Sequence, residues 1–341
     1  MTTFVDDSRS DFNFASEPAR SPVPEKKADI LWRDAAGDNV VWIMNNSTPD
    51  TVATLRTVPP DWHVKATADF SVGGFGDSDI LWQNDNGALA LWQMDGEQVS
   101  AINALPNPGP TSHVVGDNDF NGDFSDDILL QDDNGALEIW TGINPATGTV
   151  SDISFVTQNP GPTWHVVGTG DTDDDQRAGI LWQNDNGALA LWENPIFFNV
   201  PLPGGILASF VTFATVAALP TVDASWHVKG MADINGDGAS DVVFQNDNGA
   251  VVVWEMGAPF GTTINAANLI NLNPGPAWHV VGLRDMDGDL KADILFQNDN
   301  GAAAVWEDYA SAGPGVGLAT FLTVLPIDPN PNPNGHVWDL V

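Results

Sequence analysis

Cysteine is absent from this chain of 341 residues, so no disulfide framework holds the fold. Basic residues are scarce: 11 Lys and Arg stand against 46 Asp and Glu, a formal net charge of −35. Such a chain repels phosphate backbones and anionic lipid surfaces, which excludes nucleic acid as a partner and leaves cations as natural ones. No apolar run is long enough to span a bilayer, so membrane insertion is not expected. Residues 1–27 have neither a basic start nor an apolar h-region, and read as a polar, flexible tail rather than a secretory signal. Tyrosine occurs once against fourteen tryptophans, a ratio that calls for a cause.

The cause is a repeat. All six histidines fall in one motif, at His63, His113, His165, His227, His279 and His336, in steps of 50, 52, 62, 52 and 57 residues. A second motif, DILW or a variant, stands at 29–32, 79–82, 127–130, 179–182, 241–244 and 293–296. An NDNGA or DDNGA segment follows in five copies, and an alternating apolar run ends at Trp42, Trp92, Trp140, Trp192, Trp254 and Trp306. Each unit thus reads as four short strands: A (HVVG), B (DILWQ), C (ALALW) and D (variable). Asn-Gly tolerates positive φ and makes the B–C hairpin turn. NPGP can continue neither strand and makes the D–A loop.

Four-strand units of this length are propeller blades. The predicted fold is all-β: a six-bladed β-propeller with four antiparallel strands per blade. The first unit begins at strand B and the chain ends on a lone strand A, HVWDLV. That last strand is expected to complete blade one and close the ring. The expected blades are 28–60 plus 336–341, 61–111, 112–162, 163–224, 225–276 and 277–335, forming one domain over 28–341. Trp82, Trp182 and their equivalents are expected to pack between neighbouring blades.

Between strands A and B lies an acidic loop of pattern D-x-[DN]-x-D-x-x-x-D. It reads Asp119, Asn121, Asp123 and Asp127 in blade three, Asp233, Asn235, Asp237 and Asp241 in blade five, and Asp285, Asp287, Asp289 and Asp293 in blade six. Oxygens at alternate positions converge on a hard cation, and glycine lets the loop turn sharply. Calcium fits this set better than magnesium, which tolerates irregular all-protein cages poorly. Ser125, Ala239 and Lys291, at position seven, would each give a backbone carbonyl. Blade four keeps Asp171, Asp173 and Asp175 but has Gly179 in the closing position, where a water would stand in. Blade two is diluted, with Asp69, Asp77 and Asp79. Three to four structural Ca2+ sites are expected.

This loop, followed by DIL within a blade-sized repeat, resembles the FG-GAP or VCBS repeat family, which includes the integrin α-subunit propeller and fungal and bacterial propeller lectins. The resemblance covers residues 28–341. It departs in blade count, since integrin-type and fungal lectin propellers usually have seven.

Strand order puts the acidic loops on one face and the B–C and D–A links on the other. The second face gathers Trp62, Trp164, Trp226 and Trp278 beside the repeat histidines His63, His113, His165, His227 and His279. It also gathers Gln83, Asn84, Asp85 and Asn86, with their copies Gln183, Asn184, Asp185 and Asn186; Gln245, Asn246, Asp247 and Asn248; and Gln297, Asn298, Asp299 and Asn300. An indole face beside amides and carboxylates suits a pyranose, and a ring of weak sites gives avidity for a glycan-coated surface. The resembled propeller lectins work in this way. Two other readings stand beside it: packing that needs no ligand, and adhesion to a protein. Catalysis is not expected, because the carboxylates and histidines recur with the repeat instead of standing as one constellation. The resemblance implies an extracellular or cell-surface location.

Overall fold

A computed structural model of the chain describes residues 29–45, 48–71, 78–203, 206–257, 261–312, 315–319, 321–324 and 338–340. The tail 1–27, Asp77 and His336 lie outside the described residues. The described elements are all strands. Unit one holds β1 (Ile30–Asp34), β2 (Asn39–Asn45) and β3 (Thr48–Thr54); unit two β4 (Trp62–Ala68), β5 (Asp79–Asn84), β6 (Leu89–Asp95) and β7 (Gln98–Ala104). Unit three holds β8 (Ser112–Asn118), β9 (Asp127–Asp132), β10 (Leu137–Asn144) and β11 (Thr149–Val156). Unit four holds β12 (Trp164–Gly170), β13 (Gly179–Asn184), β14 (Leu189–Pro201) and β15 (Leu207–Leu219). Unit five holds β16 (Trp226–Ala232), β17 (Asp241–Asn246), β18 (Val251–Gly257) and β19 (Thr263–Ile270). Unit six holds β20 (Trp278–Arg284), β21 (Asp293–Asn298), β22 (Ala303–Glu307), β23 (Ala310–Ser311), β24 (Val316–Leu318) and β25 (Phe321–Val324), and the chain ends in β26 (Trp338–Leu340).

Within a unit the strands pair antiparallel in chain order, β4-β5-β6-β7 for example. The C-terminal β26 pairs with β1, Leu340 opposite Trp32, and so completes the sheet of unit one. Second strands such as Asp79–Asn84 are buried on both faces, whereas fourth strands such as Gln98–Ala104 alternate exposed and half-buried. Continuous apolar runs belong to the first kind of strand and alternating ones to the second.

Two departures from simple meanders occur. Unit four is longer than the others because its β14–β15 hairpin is extended, and β15 also pairs in parallel with β11, Phe210 opposite Phe155. Within the expected last blade, 277–335, the strands β23 and β24 leave their own unit and join the sheet of unit five beside β19. The single tyrosine fixes this detour: Tyr309 Oη donates to Glu255 Oε1 at 2.8 Å, and Asn268 Nδ2 donates to both.

The core lies between units. Trp82 packs with Leu31 and Val41 of unit one, Trp140 with Leu81 of unit two, and Trp182 with Leu129 of unit three. Phe244 packs with Leu181, and Phe296 with Val243. Trp32 and Trp42 of unit one pack with Met286 and Leu295 of unit six. The tryptophan surplus is thus spent on buried aromatic pairs within units, such as Trp82 on Trp92 at 5.0 Å and Trp182 on Trp192 at 4.9 Å between ring centroids. The first strands β4, β8, β12, β16 and β20 neighbour one another in that order. Arg284 at the end of β20 reaches Thr67 of β4 at 2.9 Å.

Candidate functional site

Two kinds of repeated loop carry chemistry, at opposite ends of the strands. The acidic loops join β8 to β9, β12 to β13, β16 to β17 and β20 to β21. Each winds around its own first aspartate. Asp119 Oδ1 accepts the backbone N–H of Gly122 at 2.7 Å, and Oδ2 that of Phe124 at 2.7 Å. Asp233 accepts from Gly236 and Gly238, Asp285 from Gly288 and Leu290, and Asp171 from Asp173 and Gln176. Position six turns left-handed to make that bond, with Phe124 at φ 65°, Gln176 at 68° and Leu290 at 68°. Non-glycine residues hold this conformation only where the surroundings over-determine it.

The remaining predicted ligands follow the same plan. Asn121 and Asn235 lie beside Asp123 and Asp237, each amide donating to the neighbouring carboxylate at 3.0 and 3.1 Å. The carboxylate oxygens of Asp171, Asp173 and Asp175 lie within 4.8 Å of one another, as do those of Asp285, Asp287 and Asp289. Ser125, Ala239 and Lys291 donate their N–H to the position-five carboxylate. The closing aspartates Asp127, Asp241 and Asp293 are buried and accept the N–H of Phe120, Ile234 and Met286.

The closing position also has a task in the fold. Asp241 Oδ1 takes the N–H of Met256, beside a bulge in β18. Asp29 and Asp79 do the same for Met44 and Met94. An aspartate at this position in units one and two therefore needs no ion to explain it. Asp69 supplies a carbonyl to the Asp126 N–H, and residues 72–77 of its loop lie outside the described residues.

In unit four the structure corrects the expectation of a water at the closing position. A Cβ on Gly179 would lie 2.2 Å from the Glu193 carboxyl carbon. The carboxyl group of Glu193, arriving from β14, fills the place that the missing aspartate leaves. Sequence spacing within the loop could not reveal a residue fourteen positions further on.

Burial and mutual repulsion act together on these carboxyls. Burial pushes Asp119 up to about 6, Asp171 up to about 7 and Asp293 up to about 9. Burial, then repulsion from Asp119 and Asp123, raises Asp127 well above the usual carboxylate range, and Asp241 is raised chiefly by burial. Asp127 Oδ1 and Asp173 Oδ1 are buried without a hydrogen-bond partner. Buried, unpaired carboxylate oxygens facing one another fit a hard, oxygen-seeking cation. The loops are also linked in series: the N–H of Asp126, Ala178, Ser240 and Ala292 donates to the carbonyl of Asp69, Asp119, Asp171 and Asp233 in the preceding loop.

At the other end of the strands the B–C turns meet the D–A loops. Asp85 N–H donates to Asp61, and the copies at Asp133, Asp185, Asp247 and Asp299 donate to Thr111, Thr163, Ser225 and Ala277. Each repeat histidine bonds the turn aspartate through Nε2: His63 to Asp85, His113 to Asp133, His165 to Asp185, His227 to Asp247 and His279 to Asp299, at 2.7–2.9 Å. These five pairs are exposed. Trp62, Trp164, Trp226 and Trp278 are half-buried beside them, packed against the core between units.

The amides on this face have partners inside the protein. Gln83 Nε2 donates to Ser112 O at 2.8 Å and its Oε1 accepts from Val114 N at 3.0 Å, which clamps unit two to unit three. Gln245 repeats this on Trp278 and Val280. Gln183 is half-buried and Gln297 buried. The turn asparagines each cap a backbone N–H two residues on: Asn84, Asn184, Asn246 and Asn298 at the first position. Asn86, Asn186, Asn248 and Asn300 do so at the second.

The family model described as an FG-GAP-like repeat matches residues 233–296. That stretch contains both the 233–241 and the 285–293 acidic loops and the strands between them. No curated protein matches the chain.

Proposed function

We propose that this FG-GAP repeat protein is a six-bladed propeller whose acidic loops hold structural calcium and whose opposite face binds carbohydrate multivalently. The six-blade reading is supported by the packing of each unit on the next and of unit six on unit one. In the calcium reading, Asp119, Asn121, Asp123 and Asp127 hold one ion, with a carbonyl from Ser125. Asp233, Asn235, Asp237 and Asp241 hold a second with Ala239, and Asp285, Asp287, Asp289 and Asp293 a third with Lys291. The ion neutralises carboxylates that otherwise repel, so its binding free energy adds to folding.

The observation that carries the sugar reading is the fivefold exposed His–Asp pair, flanked in four copies by a half-buried indole. Imidazole and carboxylate offer hydroxyl partners, and the indole offers a face for the C–H side of a pyranose. The proposal extends to glycoconjugates on a cell surface as partners and an extracellular location. A glycan array probed in calcium-containing buffer tests it. Selective binding to one sugar class, weakened in Trp164→Ala and Trp226→Ala, supports the proposal. A blank array with folded protein overturns it.

A second reading, a protein-binding scaffold in adhesion without sugar recognition, is favoured by one finding. The glutamine and asparagine side chains expected to meet a sugar are engaged within the protein. A scaffold binds one protein partner and ignores free sugar.

A further inference from the structure

Unit four departs from the other complete loops at two positions at once. Position two is Thr172, where units three, five and six carry the buried Phe120, Ile234 and Met286. Position nine is Gly179 in place of Asp127, Asp241 or Asp293. The residue after the strand-C tryptophan is Glu193, wholly buried; units five and six also carry a glutamate there, and unit three has Thr141. In unit four these three residues meet in space. A Cβ on Gly179 would lie 2.2 Å from both carboxyl oxygens of Glu193, and Thr172 Oγ1 donates to Glu193 Oε1.

The second oxygen, Glu193 Oε2, is buried with no partner, and so is Asp173 Oδ1. Burial raises the Glu193 carboxyl well above the usual carboxylate range, and repulsion from Asp173, Asp171 and Asp175 adds to it. A fully buried carboxylate beside three others is costly unless it is neutralised by a proton or a cation. Glu255 and Glu307 occupy the same position in units five and six, whose loops keep Asp241 and Asp293, and Glu255 is engaged by Tyr309 and Asn268.

We propose that Glu193 supplies the closing carboxylate of the unit-four acidic loop, from the neighbouring strand, so that Asp171, Asp173, Asp175 and Glu193 together hold a calcium ion. The proposal rests on the calcium reading of the other loops. In unit four, where glycine leaves the closing position open, the long side chain of the glutamate on the next strand reaches that volume.

The test counts calcium bound per chain by elemental analysis after equilibrium dialysis against calcium, with circular dichroism to verify folding. Wild type is compared with Glu193→Gln, with Asp119→Ala as a reference for loss of one ion, and with the double variant Gly179→Asp, Glu193→Thr. The double variant copies the Asp127–Thr141 arrangement of unit three. The expected result is one ion fewer in Glu193→Gln and the wild-type count in the double variant. Folded Glu193→Gln with the wild-type count overturns the proposal and leaves the calcium reading of the other loops standing. A wild type that binds no calcium overturns both. Should Glu193→Gln fail to fold, Glu193→Thr with Gly179 retained decides: one ion fewer there, restored in the double variant, supports the proposal, and the wild-type count in Glu193→Thr overturns it.

Discussion

The side chain of Gln83 bonds the backbone of the next unit on both sides of His113, donating to Ser112 O and accepting from Val114 N. A residue that reads as surplus to a tight turn is a clamp between sheets. Gln83 is buried, so Gln83→Ala leaves a buried carbonyl and a buried N–H unsatisfied, at a cost of about 1–3 kcal/mol each. Urea unfolding is expected to show a lower midpoint for Gln83→Ala and Gln245→Ala, with glycan binding unchanged. Unchanged stability with lost binding would move these glutamines into a ligand site.

Stability is expected to depend on pH with a definite sign. Asp119, Asp171 and Asp293 have folded-state values raised to about 6, 7 and 9, above the roughly 3.9 of an unfolded aspartate. A raised carboxyl stabilises the folded state fully below the unfolded value and loses that contribution as pH rises through the folded one. The metal-free protein is therefore expected to melt at progressively lower temperature from about pH 5 to about pH 9. Saturating calcium replaces the protons, so it flattens this slope and releases protons on binding. Melting curves in chelator that are flat over this range would contradict the account.

Close backbone approach explains why two loops recur together. Gly249, at φ 92°, would place a Cβ 2.3 Å from Gly275 in the NPGP loop, whereas Gly187, at φ 85°, meets nothing within 4 Å. Unit four is followed by TVDAS instead of NPGP. Both Gly→Ala variants incur the positive-φ cost of about 1 kcal/mol, but only Gly249→Ala adds a clash with rigid backbone. Gly249→Ala is expected to lose distinctly more stability than Gly187→Ala in urea unfolding, and equal losses would refute the packing explanation.

Much of the fold was legible because each signal is local and repeated. The DNG turn, the NPGP loop and the doubly buried DILW strand each appear several times in register, so strand order within a unit followed directly. The return of the last strand beside β1 followed from counting unpaired strands. Side-chain partners across units were not legible. Gln83 and Ser112 lie in different units, and Glu193 and Gly179 on neighbouring strands of one unit, so both relations depend on which strands lie together. The departures at Thr172 and Gly179 were visible in the sequence, but only sheet geometry shows that Glu193 joins them in one cluster. The detour of β23 and β24 onto unit five is likewise a tertiary matter, fixed by the Tyr309, Asn268 and Glu255 contacts.

The most direct test of the account is the melting temperature of calcium-loaded protein before and after removal of the ion by a chelator, with bound calcium counted in the same samples. At free calcium about 100 times its dissociation constant, each site adds about 2.7 kcal/mol to folding. The account predicts several ions per chain and a melting temperature that falls by several degrees on chelation and returns when calcium is restored. Protein that carries calcium yet melts identically with and without it would contradict the structural role of these loops.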